Sequence, residues 1–260
     1  MTTDDYILEI KTIQSSAIRI LVEALKEILT DTNIIFDETG IKLITTDSTK
    51  TVLIHMKLDA NKFESYHCKS TIKCGICMLN LFKLIKTISN NDTLTLYITK
   101  HDRNKLGIII NNPDKKSQTR YELNLLDINE ESLSPPPVEF ETEIAYPSSD
   151  FQKIIRDMIN IGTNVEIKSV GNSLILSCDG DFANQETILQ TSDEGLKYIS
   201  GNSDNNVIQG VFSLKYLLLF TKCTNMCNQI KLYIKNDYPL IIQYSVASLG
   251  YIKLCLAPNV

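Results

Sequence analysis

The sequence predicts an α+β fold of two similar domains, each with two short helices on an antiparallel sheet. Three observations lead to this prediction. A proline run, Pro135–Pro137, lies almost at the midpoint of the 260 residues. Helix-like segments that begin at Ser15 and Ser148 lie 133 residues apart. Two near-copies of one strand, which start at Leu94 and Ile230, lie 136 residues apart. The chain therefore contains a weak internal repeat around a central linker.

Each half is predicted to begin with a helix that a serine caps. The first helix runs from Ser15 to Leu29 and the third from Ser148 to Ile161, because serine before an apolar-periodic segment is a common N-cap. The second helix spans about Leu79–Ile88 and the fourth about Ser213–Cys223. Apolar residues at helical spacing predict the buried faces. These residues are Ile18, Leu21, Leu25, Ile28, Leu81, Leu84, Ile85, Ile88, Phe151, Ile154, Ile155, Met158, Leu214 and Leu217.

The remaining segments are predicted to be antiparallel strands. Alternation is clear in Gly40–Ile44 and Ser173–Ser177, and the near-copies Leu94–Thr99 and Ile230–Lys235 follow the second helix of each half. The proline run is stiff and cannot donate to a sheet, so it fits a linker. We therefore predict an N-terminal domain over 1–124, a linker over 125–137 and a C-terminal domain over 138–260.

Composition limits the functional classes. The chain carries 26 Lys and Arg against 31 Asp and Glu, a net charge of −5. No apolar run approaches the roughly 18–20 residues of a membrane span, and the first residues do not resemble a signal peptide. Seven cysteines without such a signal predict reduced thiols in the cytosol or nucleus. The 35 isoleucines and 21 asparagines are typical of AT-rich genomes, such as those of large DNA viruses.

Basic residues are concentrated on the predicted helices. Each helix has a basic pair off its apolar face. The pairs are Arg19 and Lys26, Lys83 and Lys86, Lys153 and Arg156, and Lys215 and Lys222. The same helices carry four acidic residues beside these eight basic ones, so the net charge of the helices is +4 and that of the rest of the chain is −9. Basic residues on solvent faces are ordinary, but this repeated pattern favours sequence-independent contact with phosphates.

Catalytic and metal-binding signals are weak. Cys74 and Cys77 have CxxC spacing, yet residues three apart on a strand point to opposite faces. Possible companion ligands are His67, Cys68, Cys223 and Cys227. Asp179-Gly-Asp181 begins like a calcium loop but fails later in the pattern. The sequence contains no GxSxG, HExxH, phosphate-binding loop or GxGxxG motif. We therefore predict no catalytic residues, no metal and no cofactor.

An ordered series of segments resembles the eukaryotic and archaeal sliding clamp family, proliferating cell nuclear antigen (PCNA). The segments are Leu8–Lys26, Gly40–Thr49, Tyr66–Cys68, Tyr121–Asp127, Phe151–Asp157, Ile161-Gly162, Leu189–Thr191, Tyr216–Lys222 and Leu256–Pro258. The resemblance implies two clamp domains in a head-to-tail homotrimer, a DNA-clamp ring with the processivity fold. It also implies that the helices line the hole, so that the eight bases named above contact double-stranded DNA.

The resemblance implies two further sites. Edge strands at about Gln118–Asn124 and Asn184–Thr191 would form the subunit interface, through Gln118, Arg120, Glu122, Glu186, Ile188 and Gln190. A pocket for short hydrophobic motifs of partner proteins would include Thr46, Lys50, Leu53, Leu133, Pro135, Phe140, Pro239, Ala257 and Pro258. Thr46 stands where the family usually has methionine, and Pro135 where an aliphatic residue is common.

The function implied is a sliding clamp that encircles duplex DNA, gives a DNA polymerase processivity and docks replication and repair proteins. The implied partners are DNA, two further copies of the chain, a polymerase, an ATP-dependent clamp loader and proteins with short hydrophobic motifs. No binding to a membrane is implied. The expected location is the nucleus for a cellular protein, or the host nucleus or a cytoplasmic replication site for a viral one, and not outside the cell.

Two alternatives remain open from sequence. The first is a processivity factor of the same fold that works as a monomer or dimer and is held on DNA by charge alone. The second is an interaction scaffold that never contacts DNA. An enzyme is the least favoured class, because no residue pattern nominates a catalytic centre.

Overall fold

A computed structural model describes residues 5–129, 133, 139–140, 142–200 and 207–259. The chain divides into two compact units. The first comprises residues 1–45, 55–133 and 245–252, and the second comprises residues 46–54, 134–244 and 253–260. The proline run and most of the predicted linker lie outside the described residues.

The described helices are α1 (Ser15–Ile28), α2 (Met78–Ile85), α3 (Ser148–Met158) and α4 (Leu214–Phe220), with short 3-10 helices at Ala60–Lys62 and Thr221–Met226. Strands β1 to β9 are Tyr6–Thr12, Asp31–Asp37, Gly40–Thr46, Val52–Asp59, Ser65–Cys68, Ile72–Cys77, Thr93–Thr99, Lys105–Asn112 and Ser117–Asn124. Strands β10 to β18 are Thr142–Pro147, Asn164–Val170, Ser173–Asp179, Asn184–Gln190, Lys197–Ser200, Ile208–Ser213, Gln229–Ile234, Leu240–Val246 and Gly250–Leu256.

The first unit combines antiparallel sheet with two helices. One sheet has the order β5-β1-β7-β8-β9, and elsewhere in the unit β2 pairs with both β3 and β6. Helices α1 and α2 contact each other, and α2 also contacts β6 and β9. Ile10, Leu21, Phe36 and Leu81 come together in one apolar core, which buries the inner faces of sheet and helices.

The second unit repeats this arrangement. Its strands include one sheet of order β13-β12-β11-β15 and a run of order β14-β10-β16-β17. Helix α3 contacts β10, α4 and the 3-10 helix at Thr221–Met226, while α4 contacts β11 and β15. Phe151, Ile155, Leu214 and Leu217 are fully or almost fully buried. The predicted α+β repeat with two helices on antiparallel sheet is therefore confirmed.

Helix ends differ from the sequence prediction by up to three residues. Helix α2 runs from Met78 to Ile85 and α3 ends at Met158, so both stop earlier than predicted. Helix α4 likewise stops before the predicted Cys223, because its α-helix ends at Phe220 and the chain continues as a 3-10 helix. The Thr221 hydroxyl donates to the carbonyl of Leu218 at 2.7 Å, three residues back. A tighter helix at this point buries Cys223 and Met226 at a spacing of three.

The predicted serine caps are wrong, because both serines lie inside their helices. The N-cap residues are Gln14 and Pro147, and neither makes a side-chain capping bond. The Ser15 hydroxyl instead donates to the carbonyl of Asp92 at 2.6 Å, and the Ser148 hydroxyl donates to the carbonyl of Cys227 at 2.5 Å. In each unit the start of a helix is thus tied to the turn just before a distant strand, β7 or β16.

One tight backbone crossing in the first unit depends on a glycine. A Cβ added to Gly75 of β6 would lie 2.2 Å from the carbonyl oxygen of Leu126. The N–H of Leu126 donates to the Gly75 carbonyl at 2.8 Å, so this backbone contact fixes the chain that leaves β9. The crossing leaves no room for any other side chain.

We expect Gly75→Ala to lower the free energy of unfolding by about 1–3 kcal/mol, because the Leu126 backbone must move to admit a methyl group. Urea unfolding followed by circular dichroism measures this change. Gly195→Ala is the control, since its Cβ would meet only the mobile hydroxyl end of Ser192. Equal stability of the two variants would contradict the importance of the crossing.

Candidate nucleic-acid interface

Six of the eight predicted DNA-contacting bases are exposed to solvent. They are Lys83, Lys86, Lys153, Arg156, Lys215 and Lys222. Across the described part of the chain, none of these six takes part in an ion pair. These residues lie on α2, α3, α4 and the short segments that follow α2 and α4. Because the apolar side of each helix is buried, its opposite side faces solvent. Lys215 Nζ lies 5.8 Å from the centre of the Tyr216 ring. Six exposed cations outside ion pairs on helical segments can contact phosphates without reading bases.

The basic pair on α1 is different from the others. Arg19 Nη1 lies 3.4 Å from Glu23 Oε2, one helical turn away, and its side chain is only 26% exposed. Lys26 forms an ion pair with Glu27 and places its Nζ 4.8 Å from the centre of the Phe82 ring. Its side chain is 17% exposed. Arg19 and Lys26 are therefore partly neutralised and held against the protein, and the exposed positive charge is concentrated on the other helices.

The pair on α4 does not have the geometry expected from its spacing. Lys215 lies in the α-helix, whereas Lys222 lies in the 3-10 helix that follows Phe220. Residues seven apart lie on one line only in a continuous α-helix, so Lys215 and Lys222 do not share one line of a single helix. Both side chains are nevertheless exposed, and both lie in the two consecutive helices Leu214–Phe220 and Thr221–Met226 of the second unit.

The two strands predicted to meet between subunits are both at the edges of their sheets. Strand β9 pairs with β8 and ends the order β5-β1-β7-β8-β9, and β13 pairs with β12 and begins the order β13-β12-β11-β15. Ile188 on β13 is 55% exposed, which is unusual for isoleucine on a strand. Gln118, Arg120, Glu122, Glu186 and Gln190 are also exposed. Among the described strands, each edge thus has backbone groups without a strand partner, and these suit a further strand.

Phe140, one residue of the predicted partner pocket, lies in an aromatic cluster of the second unit. The Phe140 ring lies 5.4 Å from the ring of Tyr233 and 5.6 Å from the ring of Tyr238. Lys253 Nζ lies 5.3 Å from the centre of the Tyr233 ring. Sequence reasoning missed both tyrosines and the lysine. The adjacency of Tyr238 to Pro239 and the alternation of β16 were the signals that could have identified them.

The remaining predicted pocket residues have varied exposure. Thr46, Leu53, Pro239, Ala257 and Pro258 are half-buried, while Lys50 and Leu133 are exposed. The N–H of Ala257 donates to the carbonyl of Thr51 at 3.1 Å, which brings the C-terminal segment beside the turn that carries Lys50. Pro135 lies outside the described residues.

Asp47 fixes that turn. Its carboxylate accepts hydrogen bonds from the backbone N–H groups of Thr49, Thr51 and Val52, the last two at 2.8 Å, and from the Thr49 hydroxyl. Burial alone would raise the pKa of the Asp47 carboxyl, but these bonds outweigh it and lower the pKa below its ordinary 3.8. The turn holds Lys50 at a positive φ of 58°, a strained conformation for a residue other than glycine.

We expect Asp47→Asn to destabilise the protein by about 2 kcal/mol at pH 7, because bonds to a buried carboxylate are lost. The carboxylate contributes its full stability above its unfolded pKa, and loses that contribution as the pH falls through its lower folded pKa. The difference between wild type and variant should therefore shrink below about pH 4. Urea unfolding at pH 7 and pH 3 measures it, with the exposed Asp193→Asn as control. A difference that is unchanged at pH 3 would contradict this assignment.

The cysteines and histidines do not gather into a metal site in the described ranges. Within those ranges, no group of three or more His, Cys, Asp or Glu side chains has the arrangement of a metal centre. Cys74 lies within β6 and burial raises the pKa of its thiol to about 12, while Cys77 ends the same strand. None of the described helices is long and apolar enough to cross a membrane.

Comparison with known proteins covers nearly the whole chain. The family model of the N-terminal domain of proliferating cell nuclear antigen matches residues 7–133, and that of its C-terminal domain matches residues 135–259. A relative named "Probable DNA polymerase sliding clamp 1", from Paramecium bursaria Chlorella virus 1, is 36% identical over 262 positions, which cover 99% of both chains. Proliferating cell nuclear antigen of Chaetomium thermophilum is 29% identical, over 97% of this chain and 98% of its own.

Proposed function

This chain belongs to the proliferating cell nuclear antigen family, and on that premise we propose that it is a DNA sliding clamp. Three copies would close head to tail around duplex DNA and tether a DNA polymerase, which gives the polymerase processivity. The observation that carries this proposal is the set of six exposed, unpaired bases on helical segments of an otherwise acidic chain. Such a surface attracts phosphates at any sequence and still allows sliding.

The mechanism proposed needs no bond-making chemistry by the chain itself. A closed ring prevents dissociation by topology, while the lysines and arginines exchange rapidly between successive phosphates. Lys83, Lys86, Lys153, Arg156, Lys215 and Lys222 would face the DNA, with Arg19 and Lys26 in a weaker role because acids on α1 already pair with them. Opening the ring would require a separate ATP-dependent loader.

Subunit joining is assigned to the open edges of β9 and β13. A contact between two different surfaces closes into a ring only when the rotation per subunit is right. Pairing the two edges would also remove an aggregation hazard that each presents alone. Three chains of 29.4 kDa would give a particle of about 88 kDa.

Partner docking is assigned to the second unit, around Phe140, Leu53 and the segment Ala257-Pro258. Half-buried apolar residues beside an aromatic cluster suit a short hydrophobic motif, since such a motif adds apolar area without a large interface. The same proposal includes the domain limits 1–124 and 138–260. It also includes the location, which is a replication site in the nucleus or in a viral compartment.

The test uses linear duplex DNA fixed to beads by one end. At high concentration a ring can thread over the free end, which is then blocked with a bulky protein. We expect the blocked DNA to retain the chain through a high-salt wash and to release it after a single cut near the block. A charge-held monomer or dimer would leave in high salt whether or not the end is blocked, because salt screens its phosphate contacts. Light scattering should give about 88 kDa for the free protein.

A further inference from the structure

The open edges of β9 and β13 carry complementary charges. We propose that Arg120 of one chain pairs with Glu186 of a second copy, and that this ion pair sets the register at which the two strands meet. The inference rests on the proposed ring, and it names the residues that select one alignment out of several.

Exposure alternates along β13 and along the C-terminal half of β9, with the same parity on both strands. In β9 residues 117–120 are all exposed; from there Arg120, Glu122 and Asn124 are exposed, Tyr121 is half-buried and Leu123 is buried. In β13 positions 184, 186, 188 and 190 are exposed and positions 185, 187 and 189 are half-buried. Residues directly opposite in an antiparallel pair project to the same face. The even positions of one strand therefore meet the even positions of the other.

The charges on these strands are few. Arg120, Glu122 and Glu186 are the charged residues of β9 and β13. Glu122 is already engaged, since its Oε2 lies 3.0 Å from Lys105 Nζ on β8. Arg120 donates from Nε to Gln118 Oε1 at 2.7 Å, and among the described residues neither Arg120 nor Glu186 has an ion-pair partner. One edge thus offers an unpaired cation and the other an unpaired anion.

Only one of the neighbouring registers uses both charges. With Arg120 opposite Glu186, Glu122 lies opposite Asn184 and the strands overlap over residues 117–122 and 184–189. A shift by two residues in one direction places Glu122 opposite Glu186, and like charges directly opposite are destabilising. A shift by two in the other direction places Arg120 opposite Asn184 and Glu186 opposite Gln118, so neither charge meets its complement.

A charge-reversal cycle tests the pair. The variants are Arg120→Glu, Glu186→Arg and the double reversal, and the readout is particle mass by light scattering across a dilution series. We expect each single reversal to raise the concentration of half-dissociation by roughly tenfold or more, because like charges then face each other at every joint. The double reversal should restore assembly to within about threefold of wild type.

A matched control distinguishes the effect of the Arg120–Glu186 pair on assembly from the effect of net charge. Arg103→Glu changes the net charge by the same amount as Arg120→Glu and lies in the exposed turn between β7 and β8, away from both edges. It should assemble like wild type. The circular dichroism spectra of all the variants should match that of wild type, because every altered side chain is exposed in the single chain.

Each contrary outcome has a distinct meaning. Single reversals that leave the mass unchanged, or a double reversal that stays dissociated, would overturn the Arg120–Glu186 pair while the ring itself stands. A wild-type mass of 29.4 kDa at every concentration would instead overturn the homotrimer on which the pair depends.

Discussion

Replacing Lys83, Lys86, Lys153 and Arg156 together by alanine is expected to weaken duplex binding by roughly 4- to 1,000-fold for each subunit in contact with the duplex, since each exposed charge contact contributes about 0.2–1 kcal/mol. The slope of log affinity against log salt should fall by about four, one for each lost phosphate contact. Fluorescence anisotropy with a labelled duplex at several salt concentrations measures both quantities. The fold should be unaffected, because all four side chains are exposed and unpaired within the described residues.

The matched control removes four other exposed lysines, Lys62, Lys69, Lys100 and Lys115, none of which lies on a basic helix. Both variants have the same net charge, so a general attraction to DNA would weaken equally in the two. We expect the control to keep the wild-type salt slope. If both variants lose the same affinity, the helices are not the DNA-facing surface and the scaffold alternative gains support.

Changing Ile188 to aspartate is expected to convert the proposed trimer to monomers. Ile188 is 55% exposed on the open edge of β13, and its burial at a subunit joint would stabilise each contact by about 1–2 kcal/mol. The variant loses that contribution and places a desolvated carboxylate at all three joints. Light scattering should report 29.4 kDa in place of about 88 kDa, and the blocked-end DNA should no longer retain the protein in high salt.

Val170→Asp provides the control for this second change. Val170 is 37% exposed on β11 in the same sheet, but β11 is an inner strand and not an edge. This variant should keep its mass and its retention on DNA. A trimeric Ile188→Asp protein would exclude the β13 edge from the joint, whatever its effect on stability.

The parts of the fold that follow local periodicity were predictable from sequence. Apolar spacing correctly identified the helices, because residues such as Leu21 and Phe151 must face a core for either segment to be stable. Alternation likewise identified the strands Gly40–Thr46 and Ser173–Asp179. These features depend on neighbours in sequence, which is why the single sequence was enough to predict them.

The errors came from partners that are distant in sequence or from neighbouring acids. Ser15 has the sequence pattern of an N-cap, but in the structure its hydroxyl donates to the carbonyl of Asp92, 77 residues away. The single α-helix predicted for the fourth segment gives way to a 3-10 helix, in which Cys223 is buried. Arg19 is basic in sequence, yet Glu23 partly neutralises it in the structure. The contacts of Phe140 with Tyr233 and Tyr238 depend on tertiary packing, and the local signals for these tyrosines, the alternation of β16 and the adjacency of Tyr238 to Pro239, do not show that they meet Phe140.

The serine ties have a consequence for the order in which the chain folds. Each one links the first turn of a helix to a carbonyl that is synthesised much later, across 77 residues for Ser15 and 79 for Ser148. Closing so long a loop is entropically costly, and contacts of this range slow folding. Neither helix start can therefore be secured until most of its own unit has left the ribosome.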